Sequence, residues 1–368
     1  MIPVCEPYIS ARDIELVNDA LTSGWISSAG KYLDLFEERW ATYCGMPYGI
    51  AVSNGSTALD IAVELLDLKA GDEVIMPTFT IISPAQSVVR AGGRPVLVDS
   101  DPETWQMNTD QIEAKITPHT KAILVVHIFG HPADMDPVMK LAEKHGLIVI
   151  EDAAEVHGAE YKGQRCGGIG HISTFSFYAN KLVTTGEGGM VLTKSKEHAD
   201  RARSLRNLCF LPNRRFYHEN LGYNYRLTNV QAAMGVGQAE HIFETIARKR
   251  EIALTYSAAF AGIEAIQLPT EMSWAQNVYW VYGIVLGDER KTDAVHVMHK
   301  LRNKGIETRP FFLGMHEQPV FHAMGLFCGE NYPVSERLSR QGFYIPNGLA
   351  LTNEQIAEVI AAVKECLA

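Results

Sequence analysis

The chain has 368 residues, of which 46% are hydrophobic, so it is long enough to bury a large core and to form two domains. Its 33 Lys and Arg residues against 43 Asp and Glu residues give a formal net charge of −10, and without a dense basic block this excludes a nucleic-acid partner. Because no apolar run approaches the ~20 residues that span a bilayer and residues 1–8 lack the pattern of a signal peptide, we expect a cytoplasmic protein without a membrane partner.

The first elements along the chain end in a candidate anion site. Apolar spacing predicts helices over Ala11–Thr22 and Lys31–Tyr43, then a strand over residues 49–53. The polar and glycine residues 54–57 break this strand and open a helix over residues 58–66. A strand, a glycine turn and a helix N-terminus together present free backbone N–H groups and a dipole that bind an anion. An ordinary helix cap is the alternative interpretation.

Three further strand-and-helix units follow, and their strands are nearly continuous apolar runs. Strands at 73–76, 95–99 and 122–128 precede helices near 83–91, 110–116 and 137–145, and a strand at 147–151 closes the series. Such runs are expected where helices cover both faces of a sheet. We therefore predict an α/β fold with a doubly wound, mostly parallel sheet. Its ligands should lie at the carboxyl ends of the strands, where residues 54–57, Phe79 and Asp152 fall.

The pattern changes in the second half of the chain. A long helical stretch over residues 227–250, capped by Thr228, leads out of the sheet region. Beyond it the pattern is α+β, with a strand at 280–286, a helix at 292–303, an extended segment at 307–310 and a final helix over Asn353–Leu367. We therefore predict a large domain over residues 1–245 and a small C-terminal α+β domain over residues 246–368.

Cysteine and histidine usage indicates no metal site. The six cysteines are scattered along the chain and lack the close pairs of zinc sites or a disulfide framework. None of the 13 histidines forms the His-Glu-x-x-His pattern. We expect no metal cofactor.

The stretch from Ser173 to Met190 carries the main chemical signal. It places Lys181 between an apolar run and a glycine-rich turn, 29 positions after Asp152. Taken alone, each residue has a structural alternative, a solvated surface lysine or a carboxylate that binds a backbone N–H. A lysine to bind an aldehyde, a carboxylate for a ring nitrogen, a phosphate cradle at Gly55–Thr57 and an aromatic side chain at Phe79 are together the parts of a pyridoxal 5'-phosphate (PLP) site.

Several motifs also resemble one known family. They are Glu-Asp-Ala-Ala-Glu at 151–155, Phe-Ser-Phe-Tyr-Ala-Asn-Lys at 175–181, Thr-Thr-Gly-Glu-Gly-Gly at 184–189, Gly-Tyr-Asn-Tyr-Arg-Leu-Thr-Asn at 222–229 and Glu-Thr-Arg-Pro-Phe-Phe at 307–312. In combination they resemble the DegT/DnrJ/EryC1/StrS family of PLP-dependent sugar aminotransferases across essentially the whole chain. The resemblance implies the aspartate aminotransferase fold, also called PLP fold type I.

The resemblance also implies roles for single residues. Lys181 corresponds to the Schiff-base lysine and proton shuttle, and Asp152 to the partner of the pyridine nitrogen. Glu155 would lie beside the ring and Phe79 would stack on its face. The residues implied to hold the phosphate are Gly55, Ser56, Ser176 and, from the neighbouring subunit, Asn224.

The contribution of Asn224 would make a homodimer obligatory. Arg309 and His316 correspond to sugar-site or supporting residues, with a structural role equally open for each. His127 and His157 are interpreted as packing histidines.

The implied reaction moves the amino group of L-glutamate to a nucleotide-linked keto-sugar in two half-reactions that share one pocket. The turn at Thr184–Gly189 resembles members that act at C4, so a 4-keto-6-deoxy sugar is expected, with GDP-4-keto-6-deoxymannose first. A dTDP- or UDP-linked sugar is the alternative. A sugar dehydratase of the same fold, which has histidine in place of the lysine, and a non-enzymatic regulator are further alternatives, and the presence of Lys181 and Asp152 argues against both.

Overall fold

The computed structural model describes residues 1–289 and 292–367. The helices are α1 (Ala11–Thr22), α2 (Lys31–Tyr43), α3 (Gly55–Glu64), α4 (Ser83–Arg90), α5 (Met135–His145), α6 (Lys196–Arg206), α7 (Asn229–Glu240), α8 (Ile242–Phe260), α9 (Ala294–Asn303), α10 (Pro319–Ala323), α11 (Pro333–Gln341) and α12 (Asn353–Leu367). The strands are β1 (Tyr48–Val52), β2 (Glu73–Pro77), β3 (Arg94–Val98), β4 (Thr120–Val126), β5 (Ile148–Asp152), β6 (Glu160–Tyr161), β7 (Gln164–Arg165), β8 (Ile172–Ser176), β9 (Gly189–Thr193), β10 (Ile266–Gln267), β11 (Ala275–Gln276), β12 (Tyr282–Leu286), β13 (Arg309–Pro310) and β14 (Gly342–Ile345).

A seven-stranded sheet forms the centre of the larger part of the molecule. Its strand order is β1-β9-β8-β5-β4-β2-β3, and only β9 runs antiparallel to its neighbours. The inner strands are buried on both faces, as their apolar sequences predict. This confirms the predicted α/β class with a mostly parallel sheet. The carboxyl ends of β1, β5 and β8 therefore meet at one edge.

A second hydrophobic core lies in the C-terminal part of the chain. The four-stranded sheet β10-β12-β14-β13 is antiparallel, and α8, α9 and α12 contribute side chains to the same core. The N-terminus joins this core, because Ile2 is buried within it and forms a β-bridge with Ile306. The predicted domain boundary near residue 245 falls inside α8.

Two predicted helices differ in the structure. Residues 110–116 form two short 3-10 turns, Thr109–Gln111 and Glu113–Lys115, because the amides of this segment bond to carbonyl groups three residues back and Ile116 is already extended. The single helix predicted over 227–250 is two helices, since the backbone leaves helical geometry at His241. Thr228 caps the first of these helices through a capping box with Gln231, as predicted.

The first turn of α3 also begins earlier than predicted, since residues 55–57 are already helical and Asn54 is the N-cap. In residues 1–289 and 292–367, no helix is long and apolar enough to cross a membrane, and no group of three or more His, Cys, Asp or Glu side chains could hold a metal ion.

Candidate active site

The predicted site residues converge at the carboxyl edge of the large sheet. Asp152 is the last residue of β5, Ser176 is the last residue of β8, and Gly55 opens α3 directly after β1. Together with Glu155 and Lys181, which lie in the loops after β5 and β8, they line one cavity of about 570 Å³. The convergence follows from the parallel arrangement of these strands, whose ends share an edge.

The N-terminus of α3 offers an anion cradle in this cavity. The Asn54 side chain accepts a hydrogen bond from the Thr57 amide at 2.9 Å, while the amides of Gly55 and Ser56 have no protein acceptor among the described residues. A Cβ atom on Gly55 would lie 2.6 Å from the Ser176 Cβ, so only glycine lets the helix start approach the end of β8. Free amides at the positive end of a helix dipole, with the Ser56 and Ser176 hydroxyls beside them, suit a phosphate group.

Lys181 points into the same cavity with its side chain only 10% exposed. Its Nζ lies 3.9 Å from the Glu155 Oε1 and 3.6 Å from the centroid of the Trp280 ring. Burial lowers the pKa of Lys181, while the Glu155 and Asp152 carboxylates oppose that shift. A lowered pKa favours the neutral amine, which is the form that reacts with a carbonyl carbon or removes a proton.

The two carboxyl groups beside Lys181 are buried as well. Burial raises the pKa of Asp152, opposed by a hydrogen bond from the Ala154 amide and by Lys181. Burial also raises the pKa of Glu155 to about 7, although Lys181 and the Phe129 amide, 2.8 Å from Oε2, favour its charged form. A further positive charge in the cavity would therefore stabilise the charged form of both carboxyl groups.

A fully buried network fixes the strand that carries Asp152. The preceding residue, Glu151, accepts hydrogen bonds from the His127 imidazole and from the amides of Gly167, Ile169 and Gly170. His127 Nδ1 accepts from the Ala133 amide, so its proton is on Nε2 and is donated to Glu151. His127 is thus a buried structural histidine, and so is His157, whose Nδ1 accepts from the Val183 amide.

Phe79 is not among the residues that line the cavity, and its predicted stacking on a cofactor ring stays a prediction. The Phe79 ring is fully buried and packs against Phe129, Phe311 and Phe312. The residue two positions later, Ile81, is 47% exposed and lines the cavity.

The two predicted substrate residues also lie away from the cavity lining. The Arg309 guanidinium forms an ion pair with Glu307 at 2.7 Å and lines a second cavity of about 240 Å³. His316 is buried, and its ring nitrogens bond to the Thr78 hydroxyl and the Glu336 carboxylate. These contacts support a structural role for His316, and the predicted part of Arg309 in sugar binding stays a prediction.

Asn224 is exposed and does not line the cavity of its own chain. It forms a β-bridge with Asn207, and the next residues run beside the end of β1, where Tyr225 O accepts from the Ser53 amide. The predicted contribution of Asn224 to a neighbouring subunit remains a prediction.

Several residues that line the cavity were not among the predicted site residues. Trp280, Phe312 and Tyr344 come from the C-terminal part of the chain and form the wall opposite the sheet edge. Asn180 and Glu187 flank the lysine loop. Nothing in the local patterns around Trp280 and Tyr344 distinguishes them from ordinary core aromatics, whereas Phe312 belongs to the family motif at 307–312.

Comparison with known proteins agrees with this geometry. Residues 7–364 match the profile of the DegT/DnrJ/EryC1/StrS aminotransferase family. The chain belongs to this family. Its relatives include GDP-perosamine synthase of Escherichia coli O157:H7, which is 40% identical over 99% of this chain and 98% of that protein, and GDP-perosamine synthase of Caulobacter vibrioides, which is 39% identical over 100% and 98%. Among solved structures, an aminotransferase from Psychrobacter cryohalolentis superposes with a TM-score of 0.92 at 30% identity, covering 98% of this chain and 97% of that one.

Membership in the DegT/DnrJ/EryC1/StrS family makes the protein a PLP-dependent sugar aminotransferase of fold type I. The residues present fit the cofactor. Unpaired amides at the α3 N-terminus and two hydroxyls suit its phosphate, a buried carboxylate suits its ring nitrogen, and a buried lysine suits its aldehyde.

Proposed function

We propose that the protein transfers the amino group of L-glutamate to C4 of GDP-4-keto-6-deoxymannose and so makes GDP-perosamine. The observation that carries the proposal is a single cavity in which Lys181, Asp152 and the α3 N-terminus face one another, in a chain similar over its whole length to proteins named GDP-perosamine synthase. A homodimer in the cytoplasm, active in O-antigen and lipopolysaccharide biosynthesis, is the proposed setting.

In this proposal the chain orients PLP through three contacts. The Gly55 and Ser56 amides with the Ser56 and Ser176 hydroxyls would hold the phosphate, Asp152 would bind the ring nitrogen, and Lys181 would bind the aldehyde carbon. Bound there, the cofactor supplies a ring that accepts the electron pair of a broken C–H bond. Asp152 strengthens this property because its carboxylate keeps the ring nitrogen protonated.

Lys181 also moves the proton in both directions. Once released from the cofactor, its neutral amine takes a proton from the α-carbon of L-glutamate, and in the second half-reaction it returns a proton to the carbon that becomes C4 of the amino sugar. The buried position lowers the lysine pKa and so supplies this neutral amine. Because both substrates use the same cavity in turn, ping-pong kinetics are expected.

The dimer is proposed from the placement of Asn224 and from exposed apolar side chains. Trp25, Ile26, Phe216 and Leu221 are all more than half exposed. Exposed large apolar side chains of this kind favour an interface with another copy of the chain.

The test supplies purified protein with L-glutamate and, separately, GDP-, dTDP- and UDP-linked 4-keto-6-deoxy sugars, and detects the amino sugar by mass spectrometry. We expect wild type to aminate the GDP sugar. We expect Lys181→Ala to lose both the visible absorbance of the bound cofactor and the activity. Amination of only a dTDP or UDP sugar would correct the nucleotide. A wild-type protein that binds no PLP, or that binds it without aminating any of the three sugars, would overturn the proposal.

A further inference from the structure

The Lys181 ammonium group rests on the face of one aromatic ring. Its Nζ lies 3.6 Å from the Trp280 centroid, well within the distance at which a cation is attracted to a ring face. Among the described residues, no other ring lies within such reach of Lys181. The same Nζ lies 3.9 Å from the Glu155 Oε1, so the amine is held between a ring face and a carboxyl oxygen.

Trp280 is held in place through both its ring and its backbone. Its Nε1 donates a hydrogen bond to the carbonyl of Asn180 at 2.8 Å, and its own carbonyl accepts one from the Lys249 Nζ at 2.8 Å. The backbone of Gly130 approaches so closely that a Cβ there would lie 2.5 Å from the Trp280 amide nitrogen. Because Asn180 directly precedes Lys181, the indole is bonded to the same turn whose lysine it contacts.

Glu155 is fixed in a similar way. The Phe129 amide donates to its Oε2, which leaves Oε1 facing Lys181.

We propose that Trp280 and Glu155 form a holding position for the Lys181 amine during the interval in which it is not bonded to the cofactor. This inference rests on the proposed role of Lys181 in transamination. When the free amine takes the α-proton of the amino acid, the C–H bond breaks, an N–H bond forms, and the electron pair passes to the cofactor ring. The product is an ammonium group, which the ring face and the carboxylate stabilise. Trp280 is thus a positioning residue that acts through Lys181.

The groups that influence the Lys181 charge come from several elements. Asp152, Glu155 and His157 lie on β5 or in the loop after it, and Tyr344 on β14 lies beside Glu155. Glu187 lines the same cavity. Behind the lysine, a gap of about 10 Å³ separates it from Cys5 and Lys249. None of these groups changes when only the Trp280 ring is replaced.

The test measures how fast the apoenzyme captures PLP as a function of pH, because only the neutral amine reacts and the midpoint of the profile reports the Lys181 pKa. Wild type is compared with Trp280→Phe and Trp280→Leu. We expect the midpoint to fall by about one pH unit in Trp280→Leu and by less in Trp280→Phe, since a benzene ring binds a cation more weakly than an indole. Glu155→Gln, which keeps the shape and removes the charge, should lower the midpoint as well.

A matched control separates this role from packing. Phe312→Leu removes another aromatic of the cavity wall that makes no cation contact with Lys181, and its midpoint should equal that of wild type. If Trp280 only fills space, its variants will capture PLP more slowly at every pH with an unchanged midpoint, and the inference is then wrong. If wild type captures PLP and aminates the sugar, but the Trp280 and Glu155 variants have the same midpoint as wild type, only the holding position is refuted. If wild type captures no PLP, the proposed function is refuted.

Discussion

Lys249 allows a quantitative prediction, because no carboxylate pairs with its ammonium group among the described residues. The side chain is 3% exposed, and Nζ donates to the carbonyl oxygens of Trp280 and Asn347. Burial lowers the pKa of Lys249 from its ordinary 10.5 to about 8, and the Cys5 thiol opposes this shift. The folded protein therefore binds fewer protons than the unfolded chain in the window between these two pKa values, and its stability rises with pH there.

The size of the effect follows from the two pKa values. Each pKa unit corresponds to about 1.36 kcal/mol, so the cost of holding a charged Lys249 is about 3.4 kcal/mol at low pH. It is fully present below pH 7 and absent above pH 11, and about 2.5 kcal/mol of it disappears between pH 7 and pH 10. Lys249→Met keeps the length of the side chain and does not titrate.

The assay is urea unfolding of wild type and Lys249→Met at pH 7 and pH 10. Between the two pH values, wild type should gain about 2.5 kcal/mol in free energy of unfolding relative to the variant, and all other titrating groups cancel in the difference. Repeating the pair in a Cys5→Ala background removes the neighbouring thiol. A difference that is the same at both pH values would show that Lys249 titrates as it does in the unfolded chain, and the reasoning from burial would be refuted.

Three further substitutions test the cavity and the residues next to it. Gly55→Ala places a Cβ 2.6 Å from the Ser176 Cβ, so we expect a loss of about 1–3 kcal/mol in stability and a lower affinity for PLP, measured by thermal unfolding and by absorbance titration. Normal PLP affinity in this variant would contradict the assignment of the cradle. Phe79→Ala should cost about 3–5 kcal/mol of stability because the ring is fully buried, whereas Ile81→Ala should weaken PLP binding with a change in stability below about 1 kcal/mol. If Phe79→Ala instead weakened PLP binding and Ile81→Ala lowered the stability, Phe79 would be the residue beside the cofactor ring.

The sequence alone predicts the part of the site that lies on the large sheet. Asp152 and the start of α3 lie at the ends of β5 and β1, two strands that the apolar pattern predicts for a mostly parallel sheet, and parallel strands bring their carboxyl ends to one edge. The role of Ser176 came from the family resemblance. Lys181 was predicted from a different signal, its position between an apolar run and a glycine-rich turn together with the carboxylate at Asp152. For Asp152 and the start of α3, the prediction required only the order of elements and no knowledge of contacts between distant segments.

The wall contributed by the C-terminal part could not be predicted in this way. Phe79 and Ile81 are both apolar and lie two positions apart, so local pattern cannot choose which of them faces the cavity. The choice depends on Phe311 and Phe312, which are more than 230 residues away and cover Phe79 in the folded protein. The local sequence around Trp280 does not predict its place in the cavity either, because that place depends on its contact with Lys181, a residue 99 positions earlier.

The charges of the cavity lead to one further step. Asp152 and Glu155 are both buried, and burial raises the pKa of each, yet Lys181 is the one buried cation of the described chain that both carboxyl groups face. Two carboxylates that share one ammonium group leave a negative charge without a partner, which is costly at low dielectric. A protonated ring nitrogen beside Asp152 would supply the second positive charge, so that Asp152 would pair with the ring and Glu155 with the lysine. The electrostatics of the protein therefore favour a cationic ring, and this protonation state is the one in which the ring accepts the electron pair of a broken C–H bond.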